Sequence, residues 1–189
     1  MDVSYILDDL NDAQRQAVTS ESKKLLVLAG AGSGKTKVLV HRIAWLIKAL
    51  SNSTHSILSV TFTNKAANEM TGRIEQILDQ PIPEMWCGTF HSISNRLLRR
   101  HYKEAGLEKD FSILDSDDQL RVIKRNLKEL DIDEDQWPPE KVRWQINNWK
   151  DEALRPQDVD DKGDFNLETL KKIYTHYESY MQRENLIDF

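Results

Sequence analysis

The chain has 189 residues, 39% of them hydrophobic and 30% charged, with a formal net charge of −5. This suits a soluble globular protein with a core, one large domain or two small ones, and the single cysteine, Cys87, excludes an internal disulfide framework and a cysteine-based zinc site. No apolar run approaches a bilayer span, and the acidic start MDVSYILDDLND lacks the order of a signal peptide, so the expectation is a reducing, cytoplasmic setting with no membrane partner.

Net charge alone argues against a nucleic-acid partner, but the charge is unevenly spread. Residues 1–105 carry 13 Lys+Arg against 10 Asp+Glu, and residues 106–189 carry 13 against 21. The basic surplus lies in the half that holds the motifs described below, although a solvated surface accounts for such a bias equally well.

In chain order, the first predicted strand is KLLVLAG in the 23–30 region, and it runs into a glycine-rich turn ending in Gly34-Lys35-Thr36. The stretch is close to a phosphate-binding loop, with Ala29 where the strict pattern has its first glycine. Glycines (Gly30, Gly32, Gly34, with Ala31 and Ser33 between them) let backbone N–H groups close round a triphosphate. Lys35 would set a point charge on the β- and γ-phosphates, and the Thr36 hydroxyl would ligate Mg²⁺. The following helix, predicted from about Lys35 to Leu50, would aim its positive end at the anion. A glycine-rich turn without a ligand leaves Lys35-Thr36 at this offset unexplained.

Two more β-type runs follow, SILSVTF over 56–62 and MWCGTF over 85–90, with a helix predicted between them from about Asn64 to Leu78. Strands alternating with helices of this length imply right-handed βαβ units and a parallel sheet. Cys87 reads best as a small apolar residue at a strand end. After Phe90 the pattern is helical only: His91 to His101; a helix opened by a capping box at Ser116-Asp117-Asp118-Gln119; one started by Pro138-Pro139 and running through Trp144 and Trp149; and Asn166 to about Glu184. Trp137, Trp144, Trp149 and Tyr174 are expected in the core or in subdomain contacts rather than stacked on bases. His41, His55, His101 and His176 have no spacing that suggests a metal or catalysis.

All three strand ends carry polar chemistry, where ligands of open parallel sheets sit. After the phosphate loop come Thr61-Phe62-Thr63-Asn64-Lys65 and Gly88-Thr89-Phe90-His91-Ser92. Each pairs hydroxyls and a phenylalanine with hydrogen-bonding groups at a helix start, which suits a nucleic-acid backbone with a stacked base. Taken singly, each reads better as ordinary capping by Thr63 or Asn64 with Phe62 and Phe90 in the core. Behind a phosphate loop, the two together favour single-stranded nucleic acid.

At this point the residues Leu10-Asn11-Asp12-Ala13-Gln14-Arg15-Gln16-Ala17-Val18, Ala29 to Thr36, Val60 to Ala67 and Gly88 to His91 resemble UvrD/Rep/PcrA-type superfamily 1 DNA helicases. The resemblance runs over essentially the whole chain, and the family tolerates alanine at the position of Ala29. It implies an α/β fold: a partial RecA-like P-loop domain with a parallel sheet over 1–90 (subdomain 1A), then a mostly helical insertion over 91–189 (subdomain 1B). It implies ATP and Mg²⁺ as cofactors, single-stranded DNA as partner with repair proteins as further partners, and 3′-to-5′ translocation in DNA repair. Gln14 resembles the glutamine that reads the adenine edge, as an amide that donates and accepts can do. Lys37 stands where relatives often carry an arginine over the adenine. Phe62, Thr63 and Asn64 match one single-strand motif, and Thr89 and His91 match a second. Arg73 falls near the nucleotide or pairs with Glu69.

The family's acidic Asp-Glu-x-x-Gln motif has no match after Thr36; Asp133-Glu134-Asp135-Gln136 has similar letters but no apolar strand before it. The expectation is therefore a piece of a larger enzyme that binds nucleotide weakly, hydrolyses little ATP and unwinds no DNA, with a sheet edge open to other chains. The runner-up is the helicase part of a recombination helicase–nuclease. A P-loop kinase or small-molecule ATPase and a non-catalytic binding module are the readings from other classes.

Overall fold

Side chains that accept from the first free amides set most of the helix starts. In the computed structural model, which describes residues 2–189, Asn11 caps α1 (Asp12–Thr19), Thr63 caps α3 (Asn64–Leu78), Asp115 caps α5 (Ser116–Glu129) and Asp164 caps α7 (Phe165–Arg183). The capping box expected at Ser116 is replaced by this cap one residue earlier, because the Asp115 carboxylate takes the amides of both Asp117 (2.9 Å) and Asp118 (2.8 Å). Pro139 occupies the first turn of α6 (Pro139–Asp151), where its missing N–H costs nothing. α4 (Phe90–Arg100) follows a strand directly, and α2 (Lys35–Lys48) begins at Gly34, whose φ of 85° is left-handed.

β1 (Leu58–Thr61) and β2 (Trp86–Thr89) pair in parallel with α3 between them in sequence, the βαβ unit expected from the alternating pattern. The expected first strand does not form. Residues 25–30 have no ladder partner among the described residues, and Leu26 and Leu28 are 80% and 84% exposed, so the apolar run lies without the neighbouring strand that would make it part of a sheet. A second parallel pair, β3 (Ser112–Ile113) with β4 (Leu186–Ile187), had no signal in the sequence because it joins two-residue segments far apart in the chain.

The chain divides into two compact units, the first ending at Leu97 and the second spanning Leu98–Phe189. In the first, Ile6, Val40, Ile43, Ala44, Met70, Ile74 and Leu78 form a core between α2 and α3, closed by Ile82 and Met85. His41 is buried there and its Nδ1–H donates to the Ile6 carbonyl at 2.5 Å, a structural role. In the second, Ile123 and Leu127 of α5, Val142 and Ile146 of α6, and Ile173, Tyr174 and Tyr177 of α7 make the core, with Trp149 stacked on Tyr174 at 5.7 Å. Trp137 is partly buried against it. Trp144 departs from expectation at 66% exposed: the buried positions of α6 are 142, 146 and 149, one helical stripe, and Trp144 lies off it. Asp133–Gln136 lies in the turn before α6, where the Trp137 N–H donates to the Asp133 carbonyl at 3.0 Å.

One largely buried carboxylate ties the second unit together. Asp188 accepts from the Lys150 ammonium (2.8 Å), the Tyr177 hydroxyl (2.7 Å) and the Gln119 amide (3.0 Å), while Lys150 also pairs with Glu178 at 2.8 Å. Pairing and hydrogen bonding offset the desolvation of these charges.

Burial, reinforced by the charge of Glu178, pushes the Tyr174 phenol up to about 12, and burial beside Asp188 raises Tyr177 as well. Below the ordinary phenol value near 10 both folded and unfolded chains keep these protons, so their contribution is complete; above it the unfolded chain ionises first. We predict that the urea midpoint falls as pH rises from 10 towards 12, and that Tyr174→Phe makes the fall shallower. Equal slopes for the two proteins would contradict this.

Candidate functional site

The phosphate-type loop is built from backbone freedom. Gly32 and Gly34 sit at φ 77° and 85°, conformations that an L side chain resists, and a Cβ at Gly34 would lie 2.9 Å from the Gln14 Nε2. Ser33 folds onto the turn, its hydroxyl donating to the Gly30 carbonyl at 2.7 Å. Lys35 turns back over the loop and its ammonium donates to the carbonyls of Ala29 (3.0 Å) and Gly30 (2.6 Å). Ala31 and Thr36 are exposed, the Thr36 side chain standing in the first turn of α2. Lys37 does not reach out beside the loop as a free cation: its ammonium donates to the Asp9 carbonyl at 2.6 Å.

Gln14 meets the loop from α1. Its Oε1 accepts from the Asn11 N–H (3.2 Å), the Asn11 side chain accepts from the Gln14 N–H (2.9 Å), and its Nε2 donates to the Ser33 carbonyl (3.1 Å). Asn11 thus orients Gln14, a role the sequence reading missed although Asn11-x-x-Gln14 is a capping-box spacing. Arg73, on α3, pairs with Glu69 at 3.2 Å across one helical turn, so the surface-pair alternative is the one seen.

A second group forms at the strand tips. Register pairs Thr61 with Thr89, so the residues after them leave the sheet side by side. Phe62 is 92% and Phe90 59% exposed, with ring centroids 6.2 Å apart and planes tilted by 53°. Neither ring is in the core, which removes the bland reading of both phenylalanines. Below them the Thr61 hydroxyl donates to the Thr63 carbonyl (3.0 Å), and Thr63 in turn accepts from the Ala66 N–H at 3.2 Å. Thr89 is buried and donates to the Ser92 hydroxyl at 3.1 Å, a partner the sequence reading had not singled out. Asn64 and His91 are exposed at the starts of α3 and α4. Two neighbouring rings open to solvent, flanked by hydroxyl, amide and imidazole groups, can sandwich or stack unpaired bases while the polar groups meet a backbone.

The family model described as "UvrD/REP helicase N-terminal domain" matches residues 10–189. The chain belongs to the UvrD/REP helicase family. DNA helicase II of Salmonella typhimurium (strain LT2) is 53% identical over 189 residues, and DNA helicase II of Escherichia coli (strain K12) is also 53% identical; each alignment covers 100% of this chain and 26% of the relative. The ATP-dependent DNA helicase PcrA of Bacillus subtilis (strain 168) is 40% identical over 187 residues, covering 98% of this chain and 25% of that protein. This UvrD/REP chain therefore spans about a quarter of the length of these relatives.

Because Phe62 buries so little surface, Phe62→Ala is predicted to change unfolding stability by no more than about 0.5 kcal/mol, as for other surface substitutions. Urea denaturation measures this. A loss of about 3 kcal/mol or more, the cost of truncating a core phenylalanine, would put the ring in the core after all.

Proposed function

We propose that this chain is the ATP-binding N-terminal part of an ATP-dependent DNA helicase, a 3′-to-5′ single-strand DNA translocase acting in DNA repair. Residues 1–90 belong to a RecA-like motor domain and 91–189 to its helical insertion. The observation that carries the reading is the exposed Phe62–Phe90 pair on adjacent strand ends in a chain that also holds a phosphate-type loop. A small-molecule kinase has no use for two solvent-facing aromatic rings there.

In this reading the loop amides from Ala29 to Gly34 hold the phosphates. Lys35 exchanges two neutral carbonyl partners for phosphate oxygens, a stronger charge-assisted contact. The exposed Thr36 hydroxyl would hold Mg²⁺, which would supply positive charge against the phosphate oxygens. Gln14 recognises the adenine edge. Arg73, if it serves the nucleotide, must first leave Glu69. Lys37, tied to Asp9, lends its stem rather than a stacking plane to the base. Phe62 and Phe90 stack bases, Thr63, Asn64 and His91 line the backbone path, and the buried Thr89 positions the start of α4 through Ser92.

The test measures fluorescent Mg·ATP analogue and oligothymidylate binding in parallel. Lys35→Ala should abolish nucleotide binding and leave DNA binding unchanged. Phe62→Ala should weaken oligothymidylate binding roughly tenfold, since stacking on an aromatic side chain is worth about 1–3 kcal/mol per base. Affinity for DNA should fall as salt rises. Nucleotide binding with no affinity for any single strand would favour the small-molecule ATPase class instead.

A further inference from the structure

We propose that Gln14 serves two competing partners: the Ser33 carbonyl, which it holds in the conformation described above, and the edge of a nucleotide base, which takes the amide away and frees the loop. The inference rests on the reading of the loop as a nucleotide site and adds a coupling to it.

The geometry divides the loop between two side chains. Lys35 occupies the carbonyls of Ala29 and Gly30 from one side. Gln14 occupies the carbonyl of Ser33 from the other and lies flush on Gly34, close enough that a Cβ there would be 2.9 Å from its nitrogen. The carbonyl it holds belongs to the Ser33–Gly34 peptide, and Gly34, at positive φ and without a side chain, is the unrestricted residue on one side of that peptide. A peptide so placed turns easily once it is released. On the far side the Asn11 N–H holds the amide oxygen, and the reciprocal bond from the Gln14 N–H to Asn11 fixes the backbone of the pair. Both polar atoms of the Gln14 amide are thus engaged within the protein. An adenine presents an acceptor beside an amino donor, the pattern that draws a glutamine amide into two hydrogen bonds.

The two levers respond to different parts of a ligand. Phosphates draw off Lys35, whereas only a base draws off Gln14. A polyphosphate without a base must work against the latch; a nucleotide releases it. Gln14 therefore makes loop opening conditional on base recognition, and it disfavours inorganic polyphosphate as well as selecting adenine.

The experiment uses the 189-residue chain with inorganic tripolyphosphate, ATP and ITP, each with Mg²⁺, and follows the backbone amides of Gly32 to Gly34 by ¹⁵N relaxation. Gln14→Ala should bind tripolyphosphate roughly fivefold more tightly than the native protein, the worth of one neutral hydrogen bond. Its Gly32–Gly34 order parameters, without ligand, should drop towards the flexible range below about 0.6. Asn11→Ala breaks the helix cap but keeps the bond to Ser33, so it should show neither change. Failure of either Gln14→Ala effect, or the same gain in Asn11→Ala, overturns the latch. Equal binding of ATP and ITP by the native protein would instead defeat the reading of adenine by Gln14. The relaxation measurement decides the hold on the loop even if no ligand binds.

Discussion

The in-register parallel pairing of Leu58–Thr61 with Trp86–Thr89 is the constraint on which the strand-tip site depends. Parallel strands in register end at the same height, so Phe62 and Phe90 emerge level and within ring contact of one another. A slip of one residue would turn one ring to the opposite face of its strand and separate the pair. The last residue of each strand, Thr61 or Thr89, is buried and spends its hydroxyl on the helix start that follows, which fixes where the next side chains point. Gly88 is part of the same arrangement. A Cβ there would come within 2.5 Å of the Ser92 hydroxyl, so any larger residue would displace Ser92 from its place beside Thr89.

The loop at Gly34 is organised on the opposite principle. Its residues are largely exposed, and its carbonyls are satisfied by the side chains of Lys35, Ser33 and Gln14. Hydrogen bonds to neutral carbonyls, including the two made by the Lys35 ammonium, are weaker than those the same donors make to an anion. The strand tips offer a surface set by strand register, and the loop one set by side chains hydrogen-bonded to its carbonyls.

Much of this was legible from local chemistry. Thr63 before Asn64 and an apolar stripe through Ala67, Met70 and Ile74 specify α3 almost to the residue, and Pro139 marks the start of α6, because both signals act within one helical turn. What failed to show was whatever lies between distant segments. Leu26 and Leu28 carry every mark of a strand, yet a strand is defined by its neighbour, and none pairs with them among the described residues. Trp144 and Trp149 are five residues apart, which puts them on different faces of a helix, and only the second meets the core. Gln119, Lys150, Tyr177 and Asp188 belong to four separate stretches, and no spacing announces that one carboxylate gathers them. At the candidate site, residue types suggested a chemistry, while the partners of Gln14, Lys37 and Thr89 needed three-dimensional neighbours to appear.

The bare leucine run has a practical side. Leu25 to Ala29 is uncharged, free of proline, strongly apolar and largely exposed, a makeup that invites association with other chains. Lys23 and Lys24 stand immediately before it, where like charges on approaching molecules repel. Charges so placed disfavour fibrous assembly, and high ionic strength screens the repulsion between them.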